Sequence, residues 1–102
     1  MLLLELSMYP LGKGERVCVP VSRALDIIDK SGVDYRLNSM GTVLEGEWDE
    51  VMDVAKKCFD VMKKDAHRIE FSMKGDWRKG LSGRISSKVE KVEKTLGRKL
   101  KK

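Results

Sequence analysis

The chain's apolar residues alternate between a period of two and a period of about 3.6, which predicts an α+β domain. The order of these stretches, β-α-β-β-α-β followed by one more helix, predicts a ferredoxin-like βαββαβ sandwich. In that fold a four-stranded antiparallel sheet carries two helices on one face, and here an additional C-terminal helix follows. Both crossovers are long enough to be right-handed. At 102 residues the whole chain, 1–102, reads as a single domain able to bury a core without a metal or disulfide frame.

The elements follow in order. In "LLLELSMY", Leu2, Leu4, Leu6 and Met8 fall on one face, and Leu3, Glu5, Ser7 and Tyr9 on the other, which makes a strand. "PLGKGE" reads as a loop. From about Pro20 the set Val21, Ala24, Leu25, Ile28 has helical spacing, with Pro20 in the first turn and Gly32 closing the end. Val33, Tyr35 and Leu37 alternate with Asp34, Arg36 and Asn38; "MG" turns the chain, and "TVLEGE" is the hairpin partner. Trp48, Val51, Met52, Ala55, Cys58, Phe59 and Met62 mark a second helix with acids in its first turn and lysines in its last, as the macrodipole favours. Ile69, Phe71 and Met73 alternate in a fourth strand. "KGDWRKGLSG" reads as a Gly-rich loop, and Ile85, Val89, Val92 and Leu96 form one stripe of a third helix. With two helices on one sheet face, the open face should hold Leu3, Glu5, Ser7, Arg36, Asn38, Val43, Glu45, Arg68, Glu70 and Ser72. Such a mixed face, with a spare apolar stripe on the last helix, suits self-association.

Charge and cysteine content narrow the function classes. The net charge is +5, yet residues 1–73 hold 10 basic and 13 acidic residues, whereas residues 74–102 hold 11 and 3. Only the C-terminal region is basic. A nucleic-acid module using that region is the alternative function, since an RNA-recognition domain shares this strand order. The third strand, "GTVLEGEW", lacks the aromatic and basic pattern that base stacking requires, so no specific nucleic-acid partner is expected. Cys18 and Cys58 lie far apart without a CxxC or a histidine companion, which points to reduced core thiols and to neither a zinc site nor a redox pair. "MLLLEL" is short and carries Glu5, unlike a signal peptide, and no stretch reaches membrane-spanning length; a soluble, cytoplasmic protein is the expectation.

The stretch "YRLNSMGTVLEGEWDEVM" gathers Asn38, Ser39, Thr42, Glu45 and Glu47 about one turn. Gly41 in a hairpin turn, Thr42 as a strand residue, and Glu47, Asp49 and Glu50 at a helix N-terminus account for part of it. Asn38 and Glu45 remain, and Ser7 joins them from the adjacent first strand. Carboxylate, amide and hydroxyl groups together suit the edge of an aminopyrimidine, which offers a donor amine and acceptor ring nitrogens.

That stretch, with "DWRKG" after the next strand and the closing "SSKVEKVEKTLG", resembles the family of small thiamine-binding proteins across essentially the whole chain. Its most specific part is the "MGT" turn with "EG" two residues later. "NSMGT" replaces the proline-containing "PMGT" of that pattern. The resemblance implies a ferredoxin-like fold, homo-oligomers joined through their sheets and often tetrameric as dimers of dimers, and a small pocket near a subunit interface. Its implied ligand is thiamine or its hydroxymethylpyrimidine moiety, bound for sensing, storage or salvage, with no required cofactor and no catalytic residues. The candidate ligand-binding residues are Ser7, Ser22, Asn38, Thr42 and Glu45.

Other signals give less. "GKGER" lacks phosphate-loop spacing. His67, the only histidine, has no neighbouring nucleophile, so an enzyme is not expected. Trp48 at a helix start reads as core, and Trp77 could stack on a ring. Lys74, Arg78, Lys79 and Arg84 surround a glycine-rich loop and could hold an anion, with solvated charge as the plainer account. The basic tail should therefore bind RNA or DNA only weakly and without sequence preference. In filter-binding titrations affinity should fall steeply with salt; selective nanomolar binding at physiological salt would contradict this.

Overall fold

The computed structural model describes residues 1–12 and 18–102. The elements are β1 (Leu2–Pro10), α1 (Cys18–Lys30), β2 (Asp34–Asn38), β3 (Gly41–Gly46), α2 (Trp48–Met62), β4 (Ile69–Trp77) and α3 (Arg84–Leu96). Half of the "PLGKGE" loop and most of "GKGER" lie outside the described residues.

Sheet order is β2-β3-β1-β4, all neighbours antiparallel, which is the ferredoxin-like arrangement. β1 is central because its Leu2, Leu4 and Leu6 row buries against the helices and fixes both neighbours. Leu4 stands opposite Leu44 in β3 and Gly75 in β4. Those leucines, with Leu44, Ala24 and Ile28 from α1, and Val51, Val54, Ala55, Cys58 and Met62 from α2, form one core between sheet and helices. The helical stripe anticipated for α2 is thus the buried face, and Cys58 is wedged against α1, its Sγ 3.5 Å from the Ala24 carbonyl. Burial in this apolar layer pushes the Cys58 thiol up to about 11.

Three sequence expectations need correction. β4 runs on through "KGDW", read as loop, because pairing with β1 extends to Leu2 opposite Trp77. Gly75 fits there since a Cβ would lie 3.4 Å from Leu2 Cδ1, so the ladder prevails over the poor strand propensity of Gly and Asp. Cys18 is exposed rather than a core thiol, since it opens α1 on its solvent side. Trp48, 54 % exposed, lies outside the core at the first position of α2, one turn before Val51, where the buried stripe begins.

The third helix crosses to the open face of the sheet and packs on β3. Its apolar stripe is only partly covered: Val92 and Leu96 are each 50 % exposed. Gly97 ends it in the left-handed conformation, φ 74°, with its N–H donating to the Glu93 carbonyl at 2.8 Å.

The core makes an unequal pair of leucines. Leu44→Ala should cost about 2–5 kcal/mol in urea unfolding, since Leu44 is 0 % exposed, whereas Leu37→Ala, at 60 % exposed, should stay within about 0.5 kcal/mol.

Candidate functional site

Alternation along the hairpin sorts the polar groups onto two faces. Thr42 pairs with Leu6 and Leu37, so it shares the helix-facing row with Leu44, while Gly41, Val43 and Glu45 share the open face with Asn38, Arg36 and Ser7. The β2–β3 turn brings part of this set back together. At that end of the sheet a cavity of about 290 Å³ opens between α1 and the hairpin, and Ser7, Asn38, Ser39 and Thr42 line it. Its apolar walls include Leu6, Ala24, Leu25 and Ile28, and Met40, 88 % exposed, stands at the turn. Thr42 is 4 % exposed, and the one fully buried side-chain polar atom without a partner among the described residues is elsewhere, at Arg84 Nε. Gly41 closes the turn tightly, since a Cβ there would lie 3.2 Å from the Leu6 carbonyl oxygen.

The other two candidates stand elsewhere. Ser22, exposed on α1, donates its hydroxyl to the Cys18 carbonyl one turn back at 2.7 Å. Glu45 is at the opposite end of β3, 4 % exposed, where its Oε2 accepts the Arg84 N–H at 2.9 Å. An α-helix begins with unpaired N–H groups, and this carboxylate supplies a partner and a favourable charge for the start of α3.

Around Glu45 lies a charge cluster that the sequence reading did not assemble. Arg84, 2 % exposed, donates from Nη1 to Asp76 Oδ2 at 2.8 Å and from Nη2 to the Met1 and Asp76 carbonyls. Lys88 donates to the same Asp76 oxygen at 2.8 Å. The Lys88 hydrogen bond, with the Arg84 guanidinium beside it, holds the Asp76 carboxyl below its ordinary range. The sequence groups Arg84 with three other loop cations that could hold an anion, with solvated charge as the plainer account. Arg84 is instead committed to the β4 end and the chain's first carbonyl, while Lys74, Arg78 and Lys79 remain exposed. The signal that could have found it is Asp76 eight residues earlier, hidden by reading "KGDW" as loop. Trp77 is 57 % exposed, and His67 is exposed just before β4. Among the described residues no group of three His, Cys, Asp or Glu could hold a metal, and no helix is long and apolar enough to cross a membrane.

A ferredoxin-like α+β sandwich, with a charge-pinned third helix at one end of the sheet and a cavity at the other, defines the class of protein. The sequence pattern of the thiamine-binding protein family matches residues 4–93, and the chain belongs to that family. A UPF0045 protein of Methanocaldococcus jannaschii is 35 % identical over 88 residues, covering 86 % of this chain and 88 % of its own. One of Mycobacterium bovis is 36 % identical over 95 residues, 92 % of this chain and 93 % of its own. A solved M. jannaschii structure superposes with a TM-score of 0.77 at 34 % identity, covering 94 % of this chain and 95 % of that one. A Thermotoga maritima structure, provisionally ascribed to thiamine biosynthesis or salvage, superposes at 0.77 with 24 % identity, covering 89 % and 97 %.

The Asp76 cluster makes acid stability a test of how α3 is held. A carboxyl depressed in the folded protein stabilises it above the unfolded value of about 3.9, and the gain is lost as pH falls through the lower folded value. Thermal melts between neutral pH and pH 3 should show the wild type losing stability on this limb. Asp76→Asn should be less stable at neutral pH and show a shallower acid decline; equal slopes would mean that Asp76 is not a pin.

Proposed function

We propose that this protein binds thiamine or its hydroxymethylpyrimidine moiety, without catalysis, in the cavity between α1 and the β2–β3 hairpin. The observation that carries the reading is that cavity's make-up. In a member of a thiamine-binding family, apolar walls from Leu6, Ala24, Leu25 and Ile28 converge with Ser7, Asn38 and Thr42 on about 290 Å³. This is close to the lower bound of ordinary small-molecule pockets, roughly 300 Å³, which suits one substituted ring better than a large cofactor. The Asn38 amide offers both a donor and an acceptor to the aminopyrimidine edge, Thr42 and Ser7 add hydroxyls, and the aliphatic walls take the ring's faces. The Thermotoga structure ascribed to thiamine biosynthesis or salvage lends support through its shared fold.

Glu45 and Ser22 play other parts in this reading: Glu45 seats α3, and Ser22 serves its own helix. The protein works as a cytoplasmic homo-oligomer, a dimer of dimers, in sensing, storage or salvage of the vitamin. Its open sheet face supplies one subunit contact.

Calorimetry and thermal melting against thiamine, its phosphates and the free pyrimidine test the ligand. A compound at a hundredfold excess over its dissociation constant should stabilise the fold by about 2.7 kcal/mol. Asn38→Ala should weaken binding by about tenfold with little change in the ligand-free melt, because Asn38 is exposed. Thr42→Val should weaken binding and leave the ligand-free protein at least as stable. If none of the three compound classes shifts the melt, the reading fails.

A further inference from the structure

α3 leaves one side without a partner. Ile85 and Val89 are partly buried where the helix packs on β3, whereas Val92 and Leu96 are each 50 % exposed, and Leu81, in the loop before the helix, is 39 % exposed. These last three line a groove of about 720 Å³ beside the helix. From Arg84 to Leu96 the groove follows α3 in steps of three and four residues, through Lys88, Lys91, Val92 and Thr95, over a length of about 18 Å. Its cations belong to the first turns of the helix and its aliphatic groups to the last, while Arg78 and Leu81 supply a wall from the loop.

Charge in this groove has one sign. Arg78, Arg84, Lys88 and Lys91 line it, and among the described residues no carboxylate does. Asp76 holds Arg84 and shares Lys88, yet among the described residues neither Arg78 nor Lys91 has an ion-pair partner. The surrounding field agrees, since residues 74–102 hold 11 basic and 3 acidic residues.

We propose that this groove docks an acidic amphipathic helix of another protein, its apolar residues seated on Leu81, Val92 and Leu96 and its carboxylates paired with Arg78, Lys88 and Lys91. A helix laid apolar side down into a groove anchors through residues at i, i+3, i+4 and i+7, the same spacing that α3 presents here. Other occupants match less well. A second copy of α3 brings no carboxylate on its groove side: antiparallel pairing can set Lys88 on Val92, parallel pairing opposes lysine to lysine, and each desolvates a cation without a partner. The apolar faces of α1 and α2 are buried in the core. No aromatic residue lines the groove among the described residues, so nucleic-acid bases would find nothing to stack on. A small ligand lying along the open side of a helix would stay largely in water, whereas ordinary pockets bury most of theirs.

The groove shares no residue with the cavity proposed for the vitamin, and no residue of the four strands lines it. It therefore stands apart from both the ligand reading and the subunit contact through the open sheet face.

Fluorescence polarisation with the full chain at physiological salt tests the proposal. The probe is a labelled peptide of about fifteen residues, long enough to follow α3, with leucines at i, i+3, i+4 and i+7 and glutamates on either side of them. It should bind with a dissociation constant of roughly tens of micromolar. Arg78→Glu combined with Lys91→Glu should weaken binding at least about tenfold, and Val92→Asp about tenfold. Lys64→Glu, which changes charge at an exposed residue outside the groove, should leave it within about twofold. These residues are exposed, so thermal melts and far-ultraviolet circular dichroism should match the wild type. A peptide of the same composition with its leucines scattered should bind about tenfold more weakly. The proposal is overturned if the probe does not bind, if the scattered peptide binds as well, or if the groove variants bind normally. It is equally overturned if a single-stranded oligonucleotide displaces the probe and is itself weakened by Val92→Asp, or if Val92→Asp lowers the protein's mass in light scattering, which would make the groove a subunit contact.

Discussion

Leu2, Leu4 and Leu6 alternate with Leu3, Glu5 and Ser7 on β1, a strand hydrogen-bonded on both sides, and most other features follow from where that alternation sets its neighbours. Because side chains change face at every residue, a slip by one position would carry the three leucines to the open face and bring Glu5 into the core, so the register of the central strand is strongly specified. That register places Leu44 opposite Leu4 and Thr42 opposite Leu6, and it makes Gly75 the neighbour of Leu4 on the other side. It also decides which hairpin side chains reach α1 and which meet α3.

At one end of the sheet the chain is closed by charge rather than by apolar packing. Arg84 is almost fully buried, its Nε has no partner among the described residues, and its guanidinium spans Asp76 and the Met1 carbonyl. Burying such a group is costly unless its hydrogen bonds are satisfied, and a pair of this kind fixes geometry more reliably than it adds stability. Glu45 completes the arrangement by taking the first N–H of α3. The helix is thus anchored at its N-terminal turn, while Val92 and Leu96 remain half exposed further along. At its far end Glu93 accepts from Lys102 and the Leu100 N–H, and those hydrogen bonds hold its carboxyl below the ordinary range.

The fold was legible because each element declared its period over several residues: the β1 leucines, the Ala24–Ile28 pair of α1 and the α2 stripe from Val51 to Met62 reached the core as their spacing required, Trp48 excepted. The end of β4 was not, because Gly75 and Asp76 are turn residues by local preference and only the β1 ladder makes them strand. The candidate site was half legible. Sequence proximity put Asn38, Thr42 and Glu45 together, and topology put Ser7 beside them. But a hairpin divides its side chains by face and by distance from the turn: Thr42 and Asn38 meet at the turn end, while Glu45 lies three residues further along β3 than Thr42. The cavity's apolar walls were read as core, since Ala24, Leu25 and Ile28 have the same spacing whether they meet a neighbour or a ligand.

Thr42 stands where the buried row and the proposed site meet. It ends the buried row that Leu44 continues, under α1, where an aliphatic side chain of its size would pack. Among the described residues the one fully buried side-chain polar atom without a partner is Arg84 Nε, so the Thr42 hydroxyl escapes the full desolvation cost of an orphaned buried group. Valine has the same shape, so packing alone does not select threonine over it. What the hydroxyl adds is a donor and acceptor on the cavity wall, beside the aliphatic Leu6 and Ile28, and it is this atom that the proposed ligand reading uses. The aliphatic walls, by contrast, fit a core neighbour and a ligand equally well.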